Sequence, residues 1–165
     1  MLRYEKVKGR EGQFRSLAGM SVEEFEWLHN YYAVEWEGYI SRYTVSGEVR
    51  TRPHRKRKDG KLEETEDQLL FILHYLKSNS LQEHHAAVYE MTQPQANNWI
   101  HLLLRLLHRT LKGLGHLPER RASKIKELLD KFEEVFVDGT ERDIQRPKDR
   151  EEQQVHYSGK KKHIK

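Results

Sequence analysis

Five side chains able to read a nucleobase fall within nine residues: Gln93, Gln95, Asn97, Asn98 and His101. A carboxamide presents a donor and an acceptor side by side, which matches the adenine edge in the major groove of DNA. Upstream, residues 41–61 (SRYTVSGEVRTRPHRKRKDGK) hold eight cations, Arg42, Arg50, Arg52, Arg55, Lys56, Arg57, Lys58 and Lys61, against only Glu48 and Asp59. Lysine and arginine in such a run can neutralise phosphate whatever the base sequence. Alone, such a run is commonly a solvated loop. Beside a base-reading helix, phosphate contact is the better account, and Arg50, Arg52, Arg55, Lys56 and Arg57 are the candidates. A third centre is Asp138, followed by Gly139 in VFVDGTE. Taken alone, an Asp-Gly pair at a strand end is a turn more often than a catalyst.

The amides need an element to hold them, and the stretch from Ser80 to Leu111 supplies it as two helices joined by a short turn. Ser80 with Glu83 fits a capping box, placing the first helix start near Leu81, with Ala86, Ala87 and Val88 facing inward. Thr92 is an N-cap for the second helix, and Pro94 sits in its first turn, where an amide hydrogen has no helical partner to lose. Ala96, Ile100, Leu103 and Leu107 recur at helical spacing as the inner face. The amides and His101 are then left outside, at the helix end that a helix-turn-helix inserts into the major groove. A plain helical hairpin with a polar outer face is the competing account. One position departs from the usual turn, since Glu90 stands where a glycine is common, so the turn is made without a free left-handed residue, or with some strain.

The rest of the chain supports this unit. Residues 1–20 read as a loose arm with Phe14 and Leu17 docking at its end. Ser21 and Glu24 form a capping box for a helix with a stripe of Val22, Phe25, Leu28 or His29, Tyr32 and Trp36, which reads as core. Tyr43, Val45, Val49 and Thr51 around Ser46-Gly47 predict a short hairpin ended by Pro53. Thr65 with Gln68 caps a further helix, whose buried stripe is Leu69, Ile72, Leu73 and Leu76 and whose stop is Ser78-Asn79-Ser80. The leucine-rich half of the long helix, Leu102 to Leu111, packs on the Ser21 helix or makes a dimer seam. His84, His85, His101, His108 and His116 show no pair at one-turn ligand spacing, so no metal is assigned to them. Gly113, Gly115 and Pro118 mark a boundary, followed by a helix carrying Ile125, Leu128, Leu129 and Phe132.

Composition sets limits. The 165 residues suffice for one domain, or one small domain plus part of another. Charged residues make up 34% of them, and the net charge of +4 is modest, so its distribution matters more than its total. The absence of cysteine excludes a disulfide framework and suits a reducing cytoplasm. No apolar run is long enough to span a bilayer, and the N-terminus lacks the apolar core of a signal peptide.

Residues 135–165 predict a strand ending at Asp138, a second strand through Ile144, a connector and a third strand from Gly159. This string resembles the opening of the catalytic domain of DDE-superfamily insertion-sequence transposases, which has an RNase H-like fold. The likeness rests on Val137-Asp138-Gly139-Thr140-Glu141, Ile144-Gln145-Arg146-Pro147 and Tyr157-Ser158-Gly159-Lys160-Lys161-Lys162-His163. Upstream, YLKSNSLQEHHAAVYEMTQPQANNWIHLLL resembles the helix-turn-helix that precedes that domain.

The resemblance implies cut-and-paste transposition, in which three carboxylates hold two magnesium ions for phosphoryl transfer. Asp138 would be the first carboxylate and a metal ligand. Glu141, Asp143, Asp149, Glu151 and Glu152 do not match the other family positions, nor do they have the spacing of a small metal-dependent nuclease. The chain ends at Lys165, before those positions. The expected fold class is therefore mainly α, a helix-turn-helix domain followed by a truncated α/β (RNase H-like) fragment. Its divisions would be 1–61, an N-terminal helix and basic arm; 62–117, the DNA-binding domain; and 118–165, the start of the catalytic domain. Magnesium belongs to the intact family enzyme and is not expected to bind this chain tightly, leaving it without cleavage of its own. The expected partner is double-stranded DNA at terminal inverted repeats, with a downstream catalytic polypeptide or a second copy as further candidates. The expected location is the cytoplasm, on the nucleoid and not at a membrane. A freestanding regulator competing for the same ends is the alternative. A split near Lys160-Lys161-Lys162, by frameshifting, would link the chain to a downstream reading frame.

Overall fold

The computed structural model describes residues 1–55, 60–118, 122–130, 149, 157–158 and 163–164. The chain divides into two compact units, Met1–Pro118 and Glu119–Lys165. The described residues are mainly helical, and none of their helices is long and apolar enough to cross a membrane.

In the first unit, six helices share one core: α1 (Tyr4–Val7), α2 (Glu11–Ala18), α3 (Val22–Ile40), α4 (Thr65–Ser78), α5 (Gln82–Val88) and α6 (Gln93–Gly113). At the centre lies α4. Seven consecutive residues from Asp67 to Leu73 are buried, because α1, α2, α3 and α6 all pack against it. The sequence pattern anticipates a single stripe, and it misplaces Leu76, which is exposed beyond the last covered turn. The helix begins after Glu64, with no side-chain cap. Thr65, expected as that cap, is its first residue, and its hydroxyl meets His29 Nε2 at 2.8 Å. Gln68 is likewise drawn inward. Its amide donates to the Leu62 carbonyl at 2.8 Å and accepts from the Tyr32 hydroxyl at 3.3 Å, so a fully buried polar side chain is satisfied at both ends.

The first twenty residues are no loose arm. Tyr4 stacks on Phe25 (centroids 4.9 Å apart, 13° between planes), and Phe14 meets both rings edge-on. The Tyr4 amide donates to the buried Asp67 carboxylate at 2.8 Å, and Arg3 lies 3.5 Å from the same group. The Leu2 amide donates to the Val88 carbonyl, and the Met1 amine pairs with Glu90. These contacts run across as many as 89 residues of sequence and brace α4 and α5 from one side. Periodicity could not show them, since a four-residue helix has too few positions to display a stripe.

The Ser21–Glu24 capping box forms as anticipated, and Phe25, Leu28, Tyr32, Trp36 and Ile40 bury the inner face of α3. Trp36 stacks on Trp99 of α6, centroids 6.0 Å apart. The leucine-rich half of α6 packs on α3, with Leu102, Leu103, Leu106, Leu107 and Thr110 buried. After α3, Tyr43 pairs with Val49 in one antiparallel bridge around Gly47, whose φ of 88° only glycine adopts freely.

In the second unit, α7 spans Ala122–Leu129. A two-residue strand β1 (Tyr157–Ser158) pairs antiparallel with β2 (His163–Ile164), Tyr157 opposite Ile164. The strands anticipated at Asp138 and Ile144, and the third strand start at Gly159, fall outside the described residues.

Candidate nucleic-acid interface

Helices α4, α5 and α6 build the unit in which the amides sit. Asn79 ends α4 in the left-handed region (φ 45°), a conformation asparagine tolerates, and α5 begins three residues later. The Ser80–Glu83 box does not form. Leu81 takes the N-cap without a side-chain bond, and Ser80 instead meets the Ser78 hydroxyl. The inner face of α5 is also rotated from expectation. His85, Ala86 and Tyr89 are buried, whereas Ala87 is exposed and Val88 half-buried. His85 and Tyr89 both pack edge-on against Phe71 and tilted against each other, so two polar-looking residues replace the aliphatic pair the pattern suggests. Ala86 on α5 and Ala96 on α6 are both buried, and the two helices pack together.

The turn between them passes through Glu90 at φ 54°. A glutamate there costs roughly 1–2 kcal/mol relative to ordinary backbone. Its carboxylate pairs with the Met1 amine and lies 3.8 Å from Lys61 Nζ. Glu90→Val and Glu90→Gly both lose the carboxylate, so their difference isolates the backbone. The valine form should be less stable by about 1–2 kcal/mol in urea melts. Equal midpoints would overturn the left-handed turn.

Thr92 caps α6 as anticipated, and Gln95 completes the box: its amide donates to Thr92 Oγ1, and its Oε1 accepts from the Thr92 amide at 3.0 Å. This fixes the Gln95 carboxamide with its NH2 turned outward. Its NH2 is free to donate to a base, while one lone pair of its oxygen is already committed to the Thr92 amide. Gln93 is exposed and Asn97 half-buried, and both bond to Gln82, the first residue of α5 (2.9 and 3.1 Å). Asn98 and His101 are exposed with no side-chain hydrogen bond among the described residues. Asn98 therefore has both amide functions available for bidentate readout.

Of the basic candidates, Arg50 does structural work. Its Nε donates to the Ile40 carbonyl at 2.6 Å and the Tyr43 carbonyl at 2.8 Å, closing the end of α3 onto the hairpin. Arg52 and Arg55 are exposed, while Lys56 and Arg57 lie outside the described residues, as does Asp138. Sequence reasoning missed a further row. Asn98, His101, Arg105, His108 and Lys112 follow at three- and four-residue steps, all exposed, along ~21 Å of α6. The leucines at the positions between them form the opposite, buried side of the helix. Arg109, off this row, pairs with Glu35 at 3.2 Å. The surface can thus offer amides at one end and cations further along, a division suited to bases and phosphates respectively.

Residues 60–113 match the family model described as the helix-turn-helix of DDE superfamily endonuclease. No curated protein and no solved structure matches the chain. The match spans α4, α5 and α6 and includes Gln82, Gln93, Gln95, Asn97 and Asn98.

Proposed function

We propose, from the helix-turn-helix of DDE-superfamily type at residues 60–113, that this chain binds the terminal inverted repeats of a DNA transposon as the N-terminal part of its transposase. The carrying observation is that this match coincides with a helix whose first two turns expose Gln93, Gln95 and Asn98. In this reading α6 enters the major groove, Asn98 reads a base edge bidentately, Gln95 donates a single hydrogen bond, and Gln93 and Asn97 read beside them. His101 and the row through Lys112 follow the backbone, with Arg52, Arg55, Lys56 and Arg57 as further phosphate contacts.

Residues 118–165 would begin the RNase H-like catalytic domain, with Asp138 the first metal-binding carboxylate. That assignment rests on the VDGTE, IQRP and YSGKKKH likeness. Among the described residues, no group of three or more acids or histidines could hold a metal, so magnesium belongs to the proposal only through Asp138 and acids of the whole family enzyme. A downstream catalytic polypeptide and a second copy of the chain are the partners such an enzyme would use, on the nucleoid.

The test uses duplexes carrying the inverted repeats that flank the gene, beside scrambled ones. Asn98→Ala should cost ~1–3 kcal/mol on the repeat and leave scrambled DNA unaffected. Replacing Arg52 and Arg55 by alanine should weaken both duplexes alike and make the log–log salt slope shallower by ~0.9 per lost contact. An Asn98→Ala loss of equal size on both duplexes would refute base readout.

A further inference from the structure

Gln82 stands behind the amide face. Gln93 Nε2 donates to Gln82 Oε1 at 2.9 Å, and Gln82 Nε2 donates to Asn97 Oδ1 at 3.1 Å. Three carboxamides on two helices thus form one chain of hydrogen bonds. Such a chain has a direction. Gln93 spends one of its two N–H donors on it and keeps its oxygen wholly free, while Asn97 spends one lone pair of its oxygen and keeps both N–H donors. Turning all three amides over reverses the direction but not the outcome: one side chain is left with a wholly free oxygen and the other with a wholly free NH2.

That outcome matters because a free carboxamide can rotate by half a turn and satisfy either kind of base edge. Fixed by Gln82, one side chain accepts, as from adenine N6 or cytosine N4. The other donates, as to guanine O6 or N7, or thymine O4. The two positions lie four residues apart, ~6 Å along the helix, so they address neighbouring parts of the groove.

We propose that Gln82 is a specificity-determining residue, a positioning group that sets which base edges Gln93 and Asn97 can read. This rests on the DNA-binding reading above. It gives α5 a part in sequence choice, and it assigns a role to a residue at the far side of the turn from the reading helix.

The experiment is selection of sites by the full chain from a randomised duplex library, with wild type, Gln82→Ala and Gln82→Glu in parallel. Gln82→Ala should keep the wild-type melting profile, random-duplex affinity and salt slope. Its consensus should become degenerate at one or two positions, and the ratio of selected to random affinity should fall about tenfold. Gln82→Glu supplies an acceptor to both neighbours, so both outward groups become oxygens. One consensus position should then switch from an acceptor-bearing to a donor-bearing base edge. Unchanged consensus in both variants overturns the inference while leaving the DNA reading intact. A uniform loss of affinity on all duplexes with a shallower salt slope also overturns it, making Gln82 a phosphate contact. If wild type enriches no site at all, the DNA reading fails and takes this inference with it.

Discussion

Phe25→Ala should lower the stability of the first unit by ~3–5 kcal/mol, and the loss should appear in a single unfolding transition. Phe25 is fully buried and touches both Tyr4 and Phe14, so its ring joins α1 and α2 to α3. Removing it strips two aromatic contacts, each worth ~0.5–1.5 kcal/mol beyond area burial, and leaves a cavity that three short elements cannot close by a small shift. The Tyr4 amide and Arg3 are the partners of the buried Asp67 carboxylate, so displacing α1 would also leave that group short of bonds. The measurement is chemical denaturation followed by circular dichroism together with tryptophan emission. Two separated transitions, or a loss under 1 kcal/mol, would mean that the N-terminal helices are an appendage and not part of the core.

Acidification should produce the second large effect. Burial pushes His85 down to about 4, from an ordinary 6.5, and neighbouring His74 adds to the shift. The Phe71 carbonyl pulls the other way but does not offset burial, and neither ring nitrogen has a partner in good hydrogen-bond geometry. Around the ring stand Phe71, His74, Tyr75 and Tyr89. The unfolded chain takes up a proton near pH 6.5, and the folded chain resists it down to about 4. Stability is therefore full above the unfolded value and is lost as pH falls through this window, by ~3 kcal/mol. Asp67 acts in the opposite sense. Burial raises its carboxyl, so acidification through the carboxylate range favours the fold and offsets part of the loss. Denaturation of wild type and His85→Leu at pH 7, 6, 5 and 4 separates the two. The leucine form should keep its stability at neutral pH and lose most of the slope below 6.5, retaining the part that comes from His74, which burial also pushes down. Parallel curves for the two proteins would show that His85 is not the responsible group.

What the sequence made legible is local. Ser21 with Glu24 and Thr92 before Gln95 mark their helix starts because a cap is a contact between residues three apart. Ala96, Ile100, Leu103 and Leu107 are buried as their spacing requires. At Glu90 the missing glycine was readable, but whether the turn avoids the left-handed region or enters it at a cost was not; it enters it, at φ 54°. Illegible features depend on partners far along the chain. His85 and Tyr89 look polar in a pattern, yet they fill the core beside Phe71, fourteen or more residues away. Arg50 resembles every other cation in its run until two backbone carbonyls claim it. The amide face was visible as a list of residues. Its donor and acceptor directions were not, because they depend on Thr92 and Gln82.

The stacked indoles of Trp36 and Trp99 have a use outside stability. Two indole chromophores 6.0 Å apart and 29° between planes couple their electronic transitions, giving the α3–α6 junction an exciton signature in circular dichroism. Trp36 is anchored in the core, whereas Trp99 is half-buried and adjoins Asn98 in the chain. A ligand seated on the Asn98 face alters the surroundings of one chromophore, and through the coupling the change registers in the signature of the pair. The chain thus carries its own optical reporter beside the face it would present to a duplex, readable without an attached dye.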